Sequence, residues 1–145
     1  MQALSDAAAT QAFGRQLALR LPAGSILLLA GDLGAGKTCL VQGLAAGLGI
    51  EEPITSPTFA LAQHYPLPKG GGLVHLDLYR LELPAAADEL FAQEEEEARA
   101  LGALLAVEWP ERLSSAPAGC WQIQLILSDP FNPEAGRLIE VRSPS

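Results

Sequence analysis

Residues Gly31-Asp-Leu-Gly-Ala-Gly-Lys-Thr38 fit the pattern G-x-x-x-x-G-K-[ST], and their flanks decide what they can be. Before them, Ser25-Ile-Leu-Leu-Leu-Ala30 is a short apolar run with a glycine on either side, which reads as a buried parallel strand. After them, Thr38 to Gly47 reads as a helix, because Leu40, Val41, Leu44 and Leu48 form an apolar stripe and Gly47 and Gly49 suit its end. A glycine-rich turn between strand and helix lies at a helix N-terminus. There Gly34 and Gly36 let backbone N–H groups turn around a phosphate, the helix dipole adds about half a positive charge, and Lys37 brings a mobile full one. Thr38 can offer its hydroxyl to magnesium. The chain has only two lysines, Lys37 and Lys69, so a lysine inside the pattern is poorly explained by chance. These residues predict binding of a nucleoside triphosphate.

The other elements alternate around this unit. A first helix is expected from Ser5 to about Leu19, capped by Ser5 or Asp6, with Ala9, Phe13 and Leu17 along one side. Residues 51–58 contain two prolines and several hydroxyls, which gives a loop. Phe59 to Tyr65 and Leu73 to Tyr79 alternate as strands and should pair antiparallel across Gly70-Gly-Gly72. A helix follows from near Asp88 and carries Glu94-Glu-Glu-Glu97, read as a solvated face, with a docking surface for a basic partner as the alternative. Ala103 to Val107 is a buried strand ending at Glu108, and Trp121 to Leu127 and Arg137 to Val141 give two more. The expected architecture is one P-loop NTPase-like α/β domain over residues 1–145, a mixed parallel/antiparallel central sheet flanked by helices.

Composition narrows the function. A net charge of −8 argues against a stand-alone nucleic-acid binder, so any RNA is reached through a partner. No apolar run approaches the roughly 20 residues of a membrane span, and the N-terminus lacks a signal-peptide layout, so a cytoplasmic protein is expected. Cys39 and Cys120 have no metal spacing and read as small core residues.

Phosphate chemistry needs a carboxylate that holds magnesium or orients an attacking oxygen, and two are candidates. In Val74-His-Leu-Asp-Leu-Tyr-Arg80, alternation puts His75, Asp77 and Tyr79 on one face and Val74, Leu76 and Leu78 on the other. Asp77 then positions water or magnesium, or else the three polar residues simply face solvent. Glu108 is the first polar residue after an apolar strand, the place of a Walker B acid facing magnesium; the alternative is a helix-starting glutamate before Pro110. The place of Trp109, near a nucleotide or in the core, is open.

Taken in order, Gly31 to Thr38, Thr55-Ser-Pro-Thr-Phe59, His75-Leu-Asp-Leu-Tyr-Arg80 and Glu108-Trp-Pro-Glu111 make the chain resemble the TsaE family, also called YjeE, over nearly its whole length. The resemblance implies a small ATPase that works with TsaB and TsaD in forming threonylcarbamoyladenosine at position 37 of tRNAs reading codons that begin with adenine. It implies that Gly34, Ala35, Gly36, Lys37, Thr38 and Cys39 bind the phosphates of ATP, that Thr38 and Glu108 hold Mg²⁺, and that Asp77 is the catalytic acid or its partner. It further implies a phosphate-sensing switch loop at Thr55, Ser56 and Thr58, with Asp6 near the adenine and Arg137 close to the nucleotide. The chain departs from the family at residues 84–91, where a Glu-Leu-Gly element is usual, at Cys39, where threonine is usual, and at the lengthened turn 70–72. Rival readings are a small-metabolite kinase, disfavoured because the available lid segment is acidic; a GTPase, disfavoured because no Asn-Lys-x-Asp base reader occurs; and a nucleotide-gated binding module without significant turnover.

Overall fold

The computed structural model describes residues 1–55 and 61–144. Seven strands form one sheet: β1 (Gln2–Leu4), β2 (Ile26–Gly31), β3 (Ala62–Pro66), β4 (Gly72–Asp77), β5 (Leu104–Glu108), β6 (Trp121–Leu127) and β7 (Arg137–Arg142). The helices are α1 (Ala7–Arg20), α2 (Lys37–Leu48) and α3 (Pro84–Leu101). The spatial order is β1-β7-β6-β2-β5-β4-β3. β2 pairs in parallel with β5 and β6, and β4 in parallel with β5, whereas β1/β7, β6/β7 and β3/β4 are antiparallel. The mixed sheet flanked by helices is the architecture the sequence predicts.

Burial follows from the strand period of two. In β2, Leu27 and Leu29 join a core with α1 and α2, while Leu28 points the other way into a core with α3. β4 divides in the same manner: Leu73 lies in the first core and Val74 and Leu76 in the second, with Leu78 beyond the strand's end joining them. Because both faces are covered there, β2 is apolar throughout rather than half polar, and β4 is apolar except at His75 and Asp77. Each fully buried leucine contributes about 1.5–3 kcal/mol.

α1 and α2 touch almost backbone to backbone. A Cβ on Gly14 would lie 2.5 Å from the Leu40 carbonyl oxygen, and one on Gly43 would fall inside contact distance of the Gln11 carbonyl. Gly43→Ala is therefore expected to force the helices apart, costing about 1–3 kcal/mol and lowering Tm by several degrees. An unchanged melting curve would contradict this account of the packing.

Four expectations need correction. The N-terminal strand β1 is absent from the sequence reading; at three residues it is too short to show a period, and it exists by pairing with β7. The second hairpin strand stops at Asp77, so Tyr79 lies beyond it. α3 starts at Pro84, not near Asp88, because proline at the first helical position has no N–H to waste there. The acidic run is not wholly a solvated face: Glu94 is buried, and its Oε2 lies 2.6 Å from His64 Nε2 on β3. Glu96 and Glu97 are exposed, as expected.

Candidate functional site

The loop between β2 and α2 is built by its glycines. The Ala35 N–H donates to the Asp32 carbonyl at 3.0 Å, and the Leu40 N–H to the Gly36 carbonyl at 2.9 Å, which starts the helix. Gly36 caps α2 with a positive φ of 106°, and a Cβ there would lie 2.5 Å from Arg137 Nη1. The positive φ favours glycine at this position, and any side chain there would also have to displace the Arg137 guanidinium. The α2 N-terminus thus opens into a cavity of about 400 Å³.

The parallel register carries the acids to this cavity. β2 and β5 pair Leu29 with Glu108, and β4 and β5 pair Asp77 with Glu108, so both carboxylates leave the same end of the sheet as the loop. Gly34, Gly36, Lys37, Thr38, Cys39, Asp77, Glu108 and Arg137 all line the cavity. Thr38 Oγ1 donates to Glu108 Oε2 at 3.5 Å, a long contact. Glu108 is only 3% exposed. Its Oε2 also lies 2.6 Å from Nε2 of His75, which is fully buried, so the solvent-facing reading of that strand face fails at His75. Asp77 accepts from the Tyr79 N–H at 2.9 Å, which turns the chain at the strand end.

Lys37 is 5% exposed, and its Nζ donates to the Gly31 carbonyl at 2.6 Å. Burial pushes its ammonium below the ordinary lysine value, opposed by the charges of Glu108, Glu111, Asp77 and Asp32. The ammonium also sits 3.8 Å from the ring centroid of Trp109. Trp109 adopts the left-handed conformation (φ 61°, ψ 50°), uncommon for a residue with a Cβ, and meets the Tyr79 ring at a centroid distance of 4.9 Å. It lines the cavity and also packs on the α3-side core, so both open places for it apply. Tyr79 and Arg80 also line the cavity; sequence reasoning gave neither a role there, although the bend after Asp77 is the signal that aims them at it.

Other expected residues stand differently. Ala35 is buried beneath the loop rather than lining the cavity. Asp6 lies one residue before cavity-lining Ala7, but its carboxylate caps α1 by accepting from the Ala9 N–H at 2.8 Å. Cys39 is half-buried at the cavity and not a core residue, while Cys120 is buried in the core; both are free thiols. Thr55 is exposed, and Ser56 and Thr58 lie outside the described residues.

The oxygen donors Thr38 and Glu108, with Asp77 nearby, suit a hard cation such as Mg²⁺, which typically takes one or two protein carboxylates and fills its shell with phosphate and water. Among the described residues, no three His, Cys, Asp or Glu gather into a self-sufficient metal site.

A strand, a loop at a helix N-terminus and two acids delivered in register are shared by many proteins, and comparison with known ones decides among them. The sequence profile described as "Threonylcarbamoyl adenosine biosynthesis protein TsaE" matches residues 4–131. The chain belongs to the TsaE family. A TsaE from Synechocystis, a tRNA threonylcarbamoyladenosine biosynthesis protein, is 52% identical over 118 residues, covering 79% of this chain and 73% of that protein. A TsaE from Nostoc is 42% identical over 135 residues, covering 91% and 81%. Among solved structures, Bacillus subtilis YdiB superposes with a TM-score of 0.72 at 28% identity, covering 99% of this chain and 84% of that one. TsaE membership places the chain in a family of the tRNA-modification pathway.

Proposed function

We propose that the chain is a magnesium-dependent ATP-binding protein with weak intrinsic ATPase activity. It acts in the cytoplasm with TsaB and TsaD to form the threonylcarbamoyl group on adenosine 37 of tRNA. The observation that carries this reading is the convergence of Lys37, Thr38, Asp77 and Glu108 on one cavity at the N-terminus of α2. Family membership adds the pathway.

Each residue has a separable task. Backbone N–H groups of residues 34–39 cradle phosphate oxygens, and Lys37 exchanges the Gly31 carbonyl and the Trp109 face for the terminal phosphates. Thr38 and Glu108 would hold Mg²⁺, directly or through its waters, and Asp77 orients the attacking water. When bound, the metal supplies neutralisation of charge on the phosphate oxygens. Arg137 approaches Gly36 from β7, with Nη2 donating to the Pro133 carbonyl at 3.3 Å and Nε without a partner among the described residues. Slow turnover is expected of the protein alone, and faster turnover with the partners. Hydrolysis then resets the TsaB–TsaD complex between rounds. The net charge of −8 favours contact with tRNA through those partners.

Calorimetric titration with a non-hydrolysable ATP analogue tests this reading. Binding that tightens on adding Mg²⁺, and is not matched by the GTP analogue, supports it; no binding of either sinks it. In the same titration Arg137→Ala is expected to weaken binding by about 10- to 100-fold, the loss of one charge-assisted contact. An unchanged dissociation constant would remove Arg137 from the nucleotide site.

A further inference from the structure

His75 is fully buried and does not line the cavity, yet its Nε2 lies 2.6 Å from Glu108 Oε2. An ionised carboxylate only accepts, so Nε2 carries the hydrogen and donates. The other ring nitrogen, Nδ1, is buried with no partner among the described residues. As mere filling this is a poor choice: a leucine would occupy an apolar site without burying two ring nitrogens, one of them unsatisfied. The ring makes sense through what it holds. β4 places His75 opposite Ala106 of β5, two residues before the Asp77–Glu108 pair, so the imidazole reaches along the strand to the carboxylate from within the protein.

We propose that His75 is a positioning residue that anchors one oxygen of Glu108 and so presents the carboxylate to Thr38 and the magnesium–phosphate unit. This rests on the reading of Glu108 as the magnesium-facing acid. The anchor also has something to prevent. The charge of Glu108 acts on the nearby Lys37 ammonium. A Glu108 released from His75 can swing onto that ammonium, which both withdraws the acid from the metal and neutralises the cation meant for the terminal phosphates. His75 keeps the two opposite charges apart and both in use.

The test compares wild type, His75→Leu and His75→Gln, the last retaining an amide donor at about the position of Nε2. Binding of the non-hydrolysable ATP analogue is titrated with Mg²⁺ and with EDTA, and folding is checked by circular dichroism. In His75→Leu the tightening caused by Mg²⁺ is expected to shrink by about 10- to 100-fold, the usual effect of losing a partner of a metal ligand. Affinity in EDTA stays close to wild type or falls far less, and kcat falls more than KM changes. His75→Gln restores much of the coupling. In a Glu108→Gln background, His75→Leu adds no further loss, because the residue acts through Glu108. Should the leucine variant not fold, His75→Asn replaces it, its amide being too short to reach the carboxylate. A His75→Leu protein with wild-type magnesium coupling overturns the proposal, as does equal loss in the leucine and glutamine variants or a full further loss in the Glu108→Gln background. If wild type itself shows no magnesium coupling, the reading of Glu108 has failed, an outcome distinct from failure of His75 alone.

Discussion

Glu108→Ala is expected to leave ATP binding measurable while lowering hydrolysis by about 100- to 1,000-fold, the scale on which removing one preorganised electrostatic group acts. Glu108 ends β5 in register with Leu29 of β2, two residues before Gly31, and with Asp77 of β4. It is buried, accepts from Thr38, and stands at the mouth of the α2 N-terminus. Phosphate contacts from the loop do not pass through it, so binding survives its loss. Alanine also strips His75 of its acceptor, and an unsatisfied buried donor costs roughly 1–3 kcal/mol. Glu108→Gln, which keeps the volume, separates that stability cost from the catalytic one. Single-turnover hydrolysis at saturating ATP reads the effect; a rate within a few fold of wild type would remove Glu108 from the chemistry.

Lys37→Ala should act on the other quantity. Its ammonium is held ready by the Gly31 carbonyl and the Trp109 ring, in a place where burial already disfavours the charge. Phosphate is the partner that repays that burial. Loss of a charge-assisted contact of about 1.5–3 kcal/mol predicts ATP affinity lower by roughly 10- to 100-fold. The loss should be larger for ATP than for AMP, which lacks the terminal phosphates. Equal losses for both nucleotides, measured by calorimetry, would mean that Lys37 does not read the terminal phosphates.

The parts that sequence made legible are those set by local rules. The strand–loop–helix unit announces itself because glycine is the residue that turns at Gly36, and an apolar run needs burial on both faces. Glu108 was legible because polarity returns abruptly at the end of a buried strand. What stayed hidden depends on contacts distant in sequence. β1 has no period of its own and exists through β7. Glu94 reads as one of four solvated acids until α3 is laid against β3 and His64 meets it. His75 reads as part of a polar face, and only the packing of α2 over β4 makes that face interior. Trp109 precedes a proline, which disfavours helix there, but the left-handed conformation it adopts before the short helical turn Pro110–Arg112, with its ring under Lys37, has no local sequence signal. The switch-loop residues Ser56 and Thr58 lie outside the described residues, and Thr55 beside them is exposed.

The most direct measurement is magnesium-dependent ATP hydrolysis by the purified protein, alone and with purified TsaB and TsaD, with Glu108→Ala run in parallel. The account predicts slow turnover alone, clear stimulation by the partners, and loss of the stimulated rate in the variant. Tight ATP binding with no stimulated turnover, or a stimulated rate that the variant retains, would contradict it and favour a nucleotide-gated binding module.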